Sequence, residues 1–585
     1  SGQPTAGEQP VVADSAQRLS ILSAVPAEAV VAITVRDLAE LDAKLAKLLE
    51  RLGLPFSPYM LVQGALEIVS GLDDHGSAAL VLMPTKSGVA PAKGLALILP
   101  TKDRAAMLTF LNPQPAEDGF TQVTLRQRMT YAGTKGSFTV FGPDLDTVKT
   151  VVSDKPGLGT RWSEHQLKRF ADNDLSIWID VAAFEHFWES NSEPSLSSPI
   201  NKGGKRGIDR HMEAEFAPEA SPAPAGALPP SADRSAPMIN VLRRFKQVQW
   251  SARVEPEGIA LELYAAHVQQ LEPASAADTE QTLLRGLPSE NIVWAIGVSD
   301  AGVSAHLDPI IGLYIAGAVT TGLILPEKAA GVRKMYEPML ALIHGAAAGI
   351  SALPSESTGV IAMTKVIELR GDPALFLDEL EEVVRTLQSG LFVRPAFNQA
   401  AQSLTLQRDV EQIADVSVHH LALDLKEINA VDETKLHKIL GDEGLLARIG
   451  IVDRRHAVIA LGGGAKRFEE VVATIRSGGA PLALDAGIRA SAKGVSKERS
   501  LEAYVHVDRV VTLANRICDA LGEPRPYPGM PEVNAPLALA AHAVRPDATQ
   551  VDLFIPAAVV IALKNVAVAK AAGQLRVGPD PDRVE

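Results

Sequence analysis

An α+β fold, laid out as a tandem duplication of a mostly antiparallel sheet domain with amphipathic helices packed on one face, is what this 585-residue sequence predicts. Three observations lead there. Five segments of the first half return in the same order in the second, which chance similarity between short apolar runs seldom achieves. Short apolar strands are joined by tight turns, which favours antiparallel pairing. A unit of strand, then Asp or Ser, then amphipathic helix recurs along the chain.

The first repeated segment is Val25-Pro-Ala-Glu-Ala-Val-Val-Ala-Ile-Thr-Val-Arg-Asp37, answered by Leu287-Pro-Ser-Glu-Asn-Ile-Val-Trp-Ala-Ile-Gly-Val-Ser299 at an offset of 262. Both read as a proline-led turn entering a strand. Ile98 to Leu108 matches Ile367 to Leu377, placing Asp103 on Asp372 before a helix, and Phe138 to Val152 matches Val458 to Val472, placing Gly142 on Gly462. Leu175 to Ala183 parallels Ala503 to Val511, with Asp180 on Asp508. The last pair is a hairpin, Val254 to Leu263 against Val544 to Leu553.

These matches divide the chain into a flexible N-terminal segment 1–17, a first repeat 18–270, a second repeat 280–556, a C-terminal helix 557–573 and a tail 574–585. Within the first repeat, 191–237 is rich in Pro, Ala and Ser and too poor in bulky apolar residues to offset the entropy of ordering, so it is expected to be a mobile linker. Its basic group Lys202, Lys205, Arg206 and Arg210 reads as solvated. The second repeat carries an insertion at about 381–457.

Asp37, Asp103, Asp180, Asp372 and Asp508 each follow a strand and precede an apolar helical stripe, so they are expected to cap helices, with Glu40 closing a capping box on Asp37. Pro373 suits the first helical position because its missing N–H costs nothing there. The acids around Leu377 to Leu387, and Glu469 and Glu470, fall on the wet faces of their helices.

Several chemistries lose support. A formal net charge of −14 opposes nucleic acid and anionic lipid headgroups. The apolar run Ile310 to Leu325 holds 16 residues and stops at Pro326, short of the roughly 20 that span a bilayer. It is expected to be a buried helix, and no transmembrane segment is expected. The one cysteine, Cys518, allows no intrachain disulfide or cysteine metal site and is expected in the core. His419 and His420 are neighbours on a strand and point to opposite faces, so they do not chelate one metal. No metal and no cofactor are expected. Gly462, Gly463 and Gly464 form the one weak cofactor candidate, a turn between strand and helix whose N–H groups can meet a phosphate. Their spacing fits neither nucleotide-binding pattern, and the matching Phe141-Gly-Pro-Asp junction points to a tight turn.

The proline-led strand, the strand-Asp-helix unit, the Gly142 turn and the Pro256 to Gly258 hairpin together resemble a family of bacterial exported proteins carrying a domain of unknown function. The resemblance covers most of both repeats and implies an envelope location with a binding or scaffolding role; it supplies no catalytic residues. The polar, Pro- and Ala-rich start after Ser1 is consistent with a processed exported protein of the periplasm or cell surface, although an expression-tag remnant would look similar. The leading functional expectation is a non-enzymatic binding or structural protein of the bacterial envelope. A hydrolase with dispersed residues in a groove between repeats, and a subunit of a larger assembly or self-assembly contacting through 403–424 and the C-terminal helix, are the alternatives.

Overall fold

A computed structural model describes residues 20–54, 57–68, 70–85, 90–191, 243–268, 283–303, 308–424, 433–527 and 529–576. The expected linker at 191–237 lies outside them except for Asn191. The first half contributes strands β1 (Val31–Val35), β2 (Ala78–Leu82), β3 (Leu95–Pro100), β4 (Gln114–Pro115), β5 (Thr121–Leu125), β6 (Arg128–Lys135), β7 (Phe138–Gly142), β8 (Leu175–Asp180), β9 (Phe245–Glu255) and β10 (Gly258–His267). The second contributes β11 (Ile292–Val298), β12 (Ile343–Ala352), β13 (Ile361–Leu369), β14 (Leu404–Ile413), β15 (Val416–Leu423), β16 (Leu446–Ile451), β17 (His456–Leu461), β18 (Leu501–Val505), β19 (Leu537–Arg545) and β20 (Ala548–Pro556).

All of these strands pair antiparallel in one sheet. From one edge the order is β4-β5-β6-β7-β3-β2-β1-β8-β9-β10, and it continues across β20-β19-β18-β11-β12-β13-β17-β16-β15 to β14 at the other edge. The second ten strands therefore repeat the pairing order of the first ten, in mirror sequence about the β10–β20 seam. The halves meet edge to edge through this strand pairing rather than face to face across a groove.

Helices cover both faces, not one. On one face α1 (Ser20–Ala24), α5 (Leu145–Val152) and α6 (Glu164–Asp172) bury Ile21, Leu22, Val148, Val151 and Phe170 on Ala32, Ile98, Val140 and Trp178. The other face of the same strands, through Leu99 and Phe141, receives α4 (Arg104–Leu108) by Met107 and Leu108, with α2 (Leu38–Arg51) and α3 (Pro58–Leu66) alongside. In the second half α13 (Gly464–Arg476) and α14 (Ala486–Ser491) cover the first face, and α8 (Asp308–Thr320), α9 (Ala329–Ala341) and α10 (Pro373–Leu387) cover the second. The cause is legible in the strands: neighbouring residues such as Ile98 and Leu99 are both apolar, so each face of the sheet must be sheltered.

The strand pairing corrects four matches made on sequence; in two of them Leu97 opposite Leu80 answers Lys365 opposite Ala348, so Ile98 falls on Val366 rather than Ile367 and Val140 on Val458 rather than Ala460. Ala32 lies opposite Trp178, and Ala295 lies opposite Tyr504, with both aromatics fully buried at corresponding places. Ala32 thus corresponds to Ala295 rather than to Trp294. Because side chains alternate, that one-residue shift moves Trp294 to the opposite face of the sheet. Likewise α7 (Val181–Asn191) and α15 (Val507–Leu521) start at corresponding residues, which sets Asp180 against His506, not Asp508.

Four of the five aspartates cap as expected: Asp37 accepts the Glu40 N–H, Asp103 that of Ala106, Asp180 that of Ala183 and Asp372 that of Ala374. Asp508 instead sits inside the first turn of α15 and accepts the Val533 N–H at 2.9 Å. Glu40 does not close a capping box; its carboxylate pairs with Arg36 and Lys44. The second-half insertion does not add strands to the order. It lengthens the hairpin β14–β15, whose counterpart β4–β5 is short, and adds α11 (Pro395–Gln402) and α12 (Glu433–Leu440). The C-terminal helix α16 (Ala557–Arg576) ties the halves together, with Ala557 packed on Leu48 and Val254 of the first half and Val559 and Ala562 on Val533.

Candidate functional site

The seam between the halves is polar at its centre. Glu262 of β10 lies directly opposite Asp552 of β20, and pairing in the two hairpins puts these carboxylates at corresponding positions. Like charges opposite one another destabilise a sheet, so each needs its own partners. Arg169 of α6, nearly fully buried, brings Nη2 to 2.9 Å from Glu262, and Asn173 donates to the same carboxylate at 3.2 Å. Asp552 accepts the Ser496 N–H at 2.9 Å and the Gln550 side-chain N–H at 2.7 Å. Burial still raises the Asp552 pKa above the usual aspartate range.

A raised carboxyl pKa means that the folded state holds its proton more tightly than the unfolded chain. The stability this supplies is present in acid and is lost as pH rises through the folded pKa. Asp552→Asn, which keeps an acceptor for Ser496, is therefore expected to be more stable than the parent at pH 7 and to lose that advantage towards pH 4. Urea unfolding at the two pH values checks this; a variant less stable at pH 7 contradicts it.

Away from the seam, each half holds an apolar cavity in the same place, between its first three strands and the helices above them. In the first half, α2 and α3 border an open apolar pocket of about 300 Å³ over β1, β2 and β3, lined by residues such as Ile33, Leu41, Leu45, Leu66, Leu80 and Leu97. Its polar groups are already matched: Asp42 accepts from Ser57 and from the Tyr59 N–H, and the Tyr59 hydroxyl donates to Asp74.

In the second half, α8, α9 and α10 stand over β11, β12 and β13 and leave about 760 Å³. The lining includes Trp294, Ile296, Ile311, Ile315, Met339, Ile367, Phe376 and Leu380; among the described residues Tyr314 and Tyr336 are its hydroxyl-bearing members and Lys365 its charged one. This volume lies within the range of small-molecule sites, and its lining is of the apolar kind they use. Burial alone lowers the Lys365 pKa and raises that of Tyr336.

The apolar run that sequence reasoning placed in a buried helix is α8, and it lies at the surface as the cavity's cover. Ile311, Tyr314, Ile315 and Ala318 fall on one helical face and line the cavity, while Ala316 and Gly317 face out and Tyr314 is 76% exposed. Covering an apolar space accounts for the apolar character of that inner face. No described helix is long and apolar enough to cross a membrane.

The glycine turn behaves as a junction. Gly462, Gly463 and Gly464 all have φ between 64° and 76°, and a Cβ on Gly462 would meet the Ile361 carbonyl at 2.4 Å. The carboxylate of Glu443 lies beside Gly464, where a phosphate would need to come. His419 is buried and accepts the Asp409 N–H at 3.0 Å, while His420 meets Glu411 at 2.8 Å; the two do not converge. Cys518 is partly exposed rather than in the core. Among the described residues no cluster of His, Cys, Asp or Glu is arranged to hold a metal ion.

Sequence reasoning did not find the cavity residues. Its one available signal was the contrast between the charge-free run of α8 and the amphipathic α2 at the corresponding place.

No family model matches this chain, and no curated protein matches it. Among solved structures, one titled "Structure of crystal form III of TP0453" is similar over 50% of this chain and 100% of that one, at 10% identity and a TM-score of 0.22. A likeness at that score carries no argument about fold or function.

Proposed function

We propose that this chain is a non-enzymatic binding protein, built by duplication of one α+β unit, that carries a chain-like apolar ligand beneath α8 and α9. The observation that carries the reading is the 760 Å³ cavity with its almost wholly apolar lining. Apolar walls left open to water are a cost to a folded protein unless something covers them, and a ligand that covers them recovers that cost. Each methylene moved from water into such a space gains about 0.8 kcal/mol, so an alkyl chain of about sixteen carbons gains roughly 12 kcal/mol before ordering costs.

The repeated pairing order of the two halves supports the duplication, and the smaller cavity at the corresponding place in the first half supports an ancestral unit with the same pocket. The bacterial envelope, the location implied by the family resemblance, is the setting we propose for it. Titration of lipid-stripped protein with a fluorescent polyene fatty acid tests the reading, because Trp294 in the cavity wall can transfer excitation to it. Saturable binding in the micromolar range or tighter at one to two sites per chain is expected; failure to saturate overturns it.

A further inference from the structure

We propose that Lys365 is the anchor for an anionic headgroup, which makes the ligand of the large cavity a single-chain lipid with a carboxylate or similar anion at one end. The inference rests on the binding reading above and goes on to name the ligand's charge.

Lys365 lies in the middle of β13, opposite Ala348 of β12 and Ile459 of β17, with its side chain among the cavity-lining groups. Its side chain is exposed rather than sealed in the interior, and it stands among the apolar residues that line the cavity. No carboxylate, hydroxyl or carbonyl among the described residues pairs with its Nζ, and burial is the one influence on its ionisation. An ammonium set against apolar walls without a counter-charge favours an anion that enters beside it, because the low-polarity surroundings strengthen the attraction.

The other half supplies an internal comparison. Leu97 holds the corresponding place in β3, opposite Leu80 and Phe141, and lines the smaller cavity. The fold therefore accepts an apolar residue here, and Lys365 is not required for strand pairing or packing. What a lysine adds is a cation at the wall of an apolar chamber. An amphiphile with one anionic end satisfies both parts: its tail fills the space beside Phe376 and Met339, and its head gives the ammonium a charge-assisted hydrogen bond.

The test compares a bromine-substituted long-chain fatty acid with its methyl ester, each titrated into lipid-stripped wild-type protein and into Lys365→Met and Lys365→Arg, with quenching of tryptophan fluorescence as the readout. Wild type is expected to bind the acid at least tenfold more tightly than the ester, a difference of about 1.4 kcal/mol. Lys365→Met should bind both at the ester's affinity, and Lys365→Arg should keep the preference. Unliganded Lys365→Met should melt no lower than wild type, which separates lost anchoring from lost folding. Equal affinity of wild type for acid and ester overturns the anchor while leaving the binding reading standing, as does a preference that survives in Lys365→Met. No binding of either ligand overturns both.

Discussion

Arg169→Ala is expected to destabilise the protein by about 3 kcal/mol or more, the cost of leaving a buried charge without its partner. Arg169 sits on α6 with its guanidinium 2.9 Å from Glu262 and 5.8 Å from the centre of the Tyr264 ring. Burial lowers its pKa, and Glu262 and Asp552 act against that fall. Without it, Glu262 faces Asp552 across the β10–β20 pairing with little besides Asn173 and the more distant Arg253 in compensation. The damage falls on the strand pair that joins the halves. Adding Glu262→Gln should recover part of the loss, since the double variant no longer holds an orphaned carboxylate. Urea unfolding of the four proteins measures both terms; a loss under about 1 kcal/mol for the single variant would contradict the assigned role.

Ala348→Trp is expected to weaken binding of a long-chain fatty acid by at least a hundredfold while leaving the chain folded. Ala348 lines the large cavity directly across the strand pair from Lys365. An indole placed there occupies space that is empty, so it avoids the overpacking that enlarged side chains cause in a filled core. A lost affinity with unchanged far-ultraviolet circular dichroism and an unchanged or higher melting temperature is the expected pair of results. Unaltered affinity would place the ligand elsewhere.

The α+β class with its antiparallel sheet and most element positions were legible because they rest on local rules, whereas the covering of both faces by helices was not. Asp37, Asp103, Asp180 and Asp372 could be read as caps since each stands between a strand and an apolar helical stripe. Register was less legible. Matching Asp180 to Asp508 rewarded identity of letters, whereas pairing partners put His506 there and reserve Asp508 for the Val533 N–H. The same weakness shifted Trp294 by one residue, and one residue in a strand decides whether an indole joins the core or a cavity wall.

The candidate site was hidden for a different reason. Convergent polar groups are what a sequence displays, and this cavity is apolar; among its described lining residues Lys365 is the charged member, carried by β13 beneath α8, α9 and α10. The uniform apolarity of α8 reads as burial from sequence alone, because an all-round apolar helix usually lies in a core. What the sequence could not convey is that the space under the helix is larger than its own side chains fill.

The structure of the protein crystallised with a long-chain fatty acid tests the central claim most directly. The account predicts continuous density for one alkyl chain between α8, α9 and the strands β11 to β13, with the carboxylate within hydrogen-bonding distance of the Lys365 Nζ. An empty cavity at saturating ligand, or a chain bound at another place with its head away from Lys365, would contradict it.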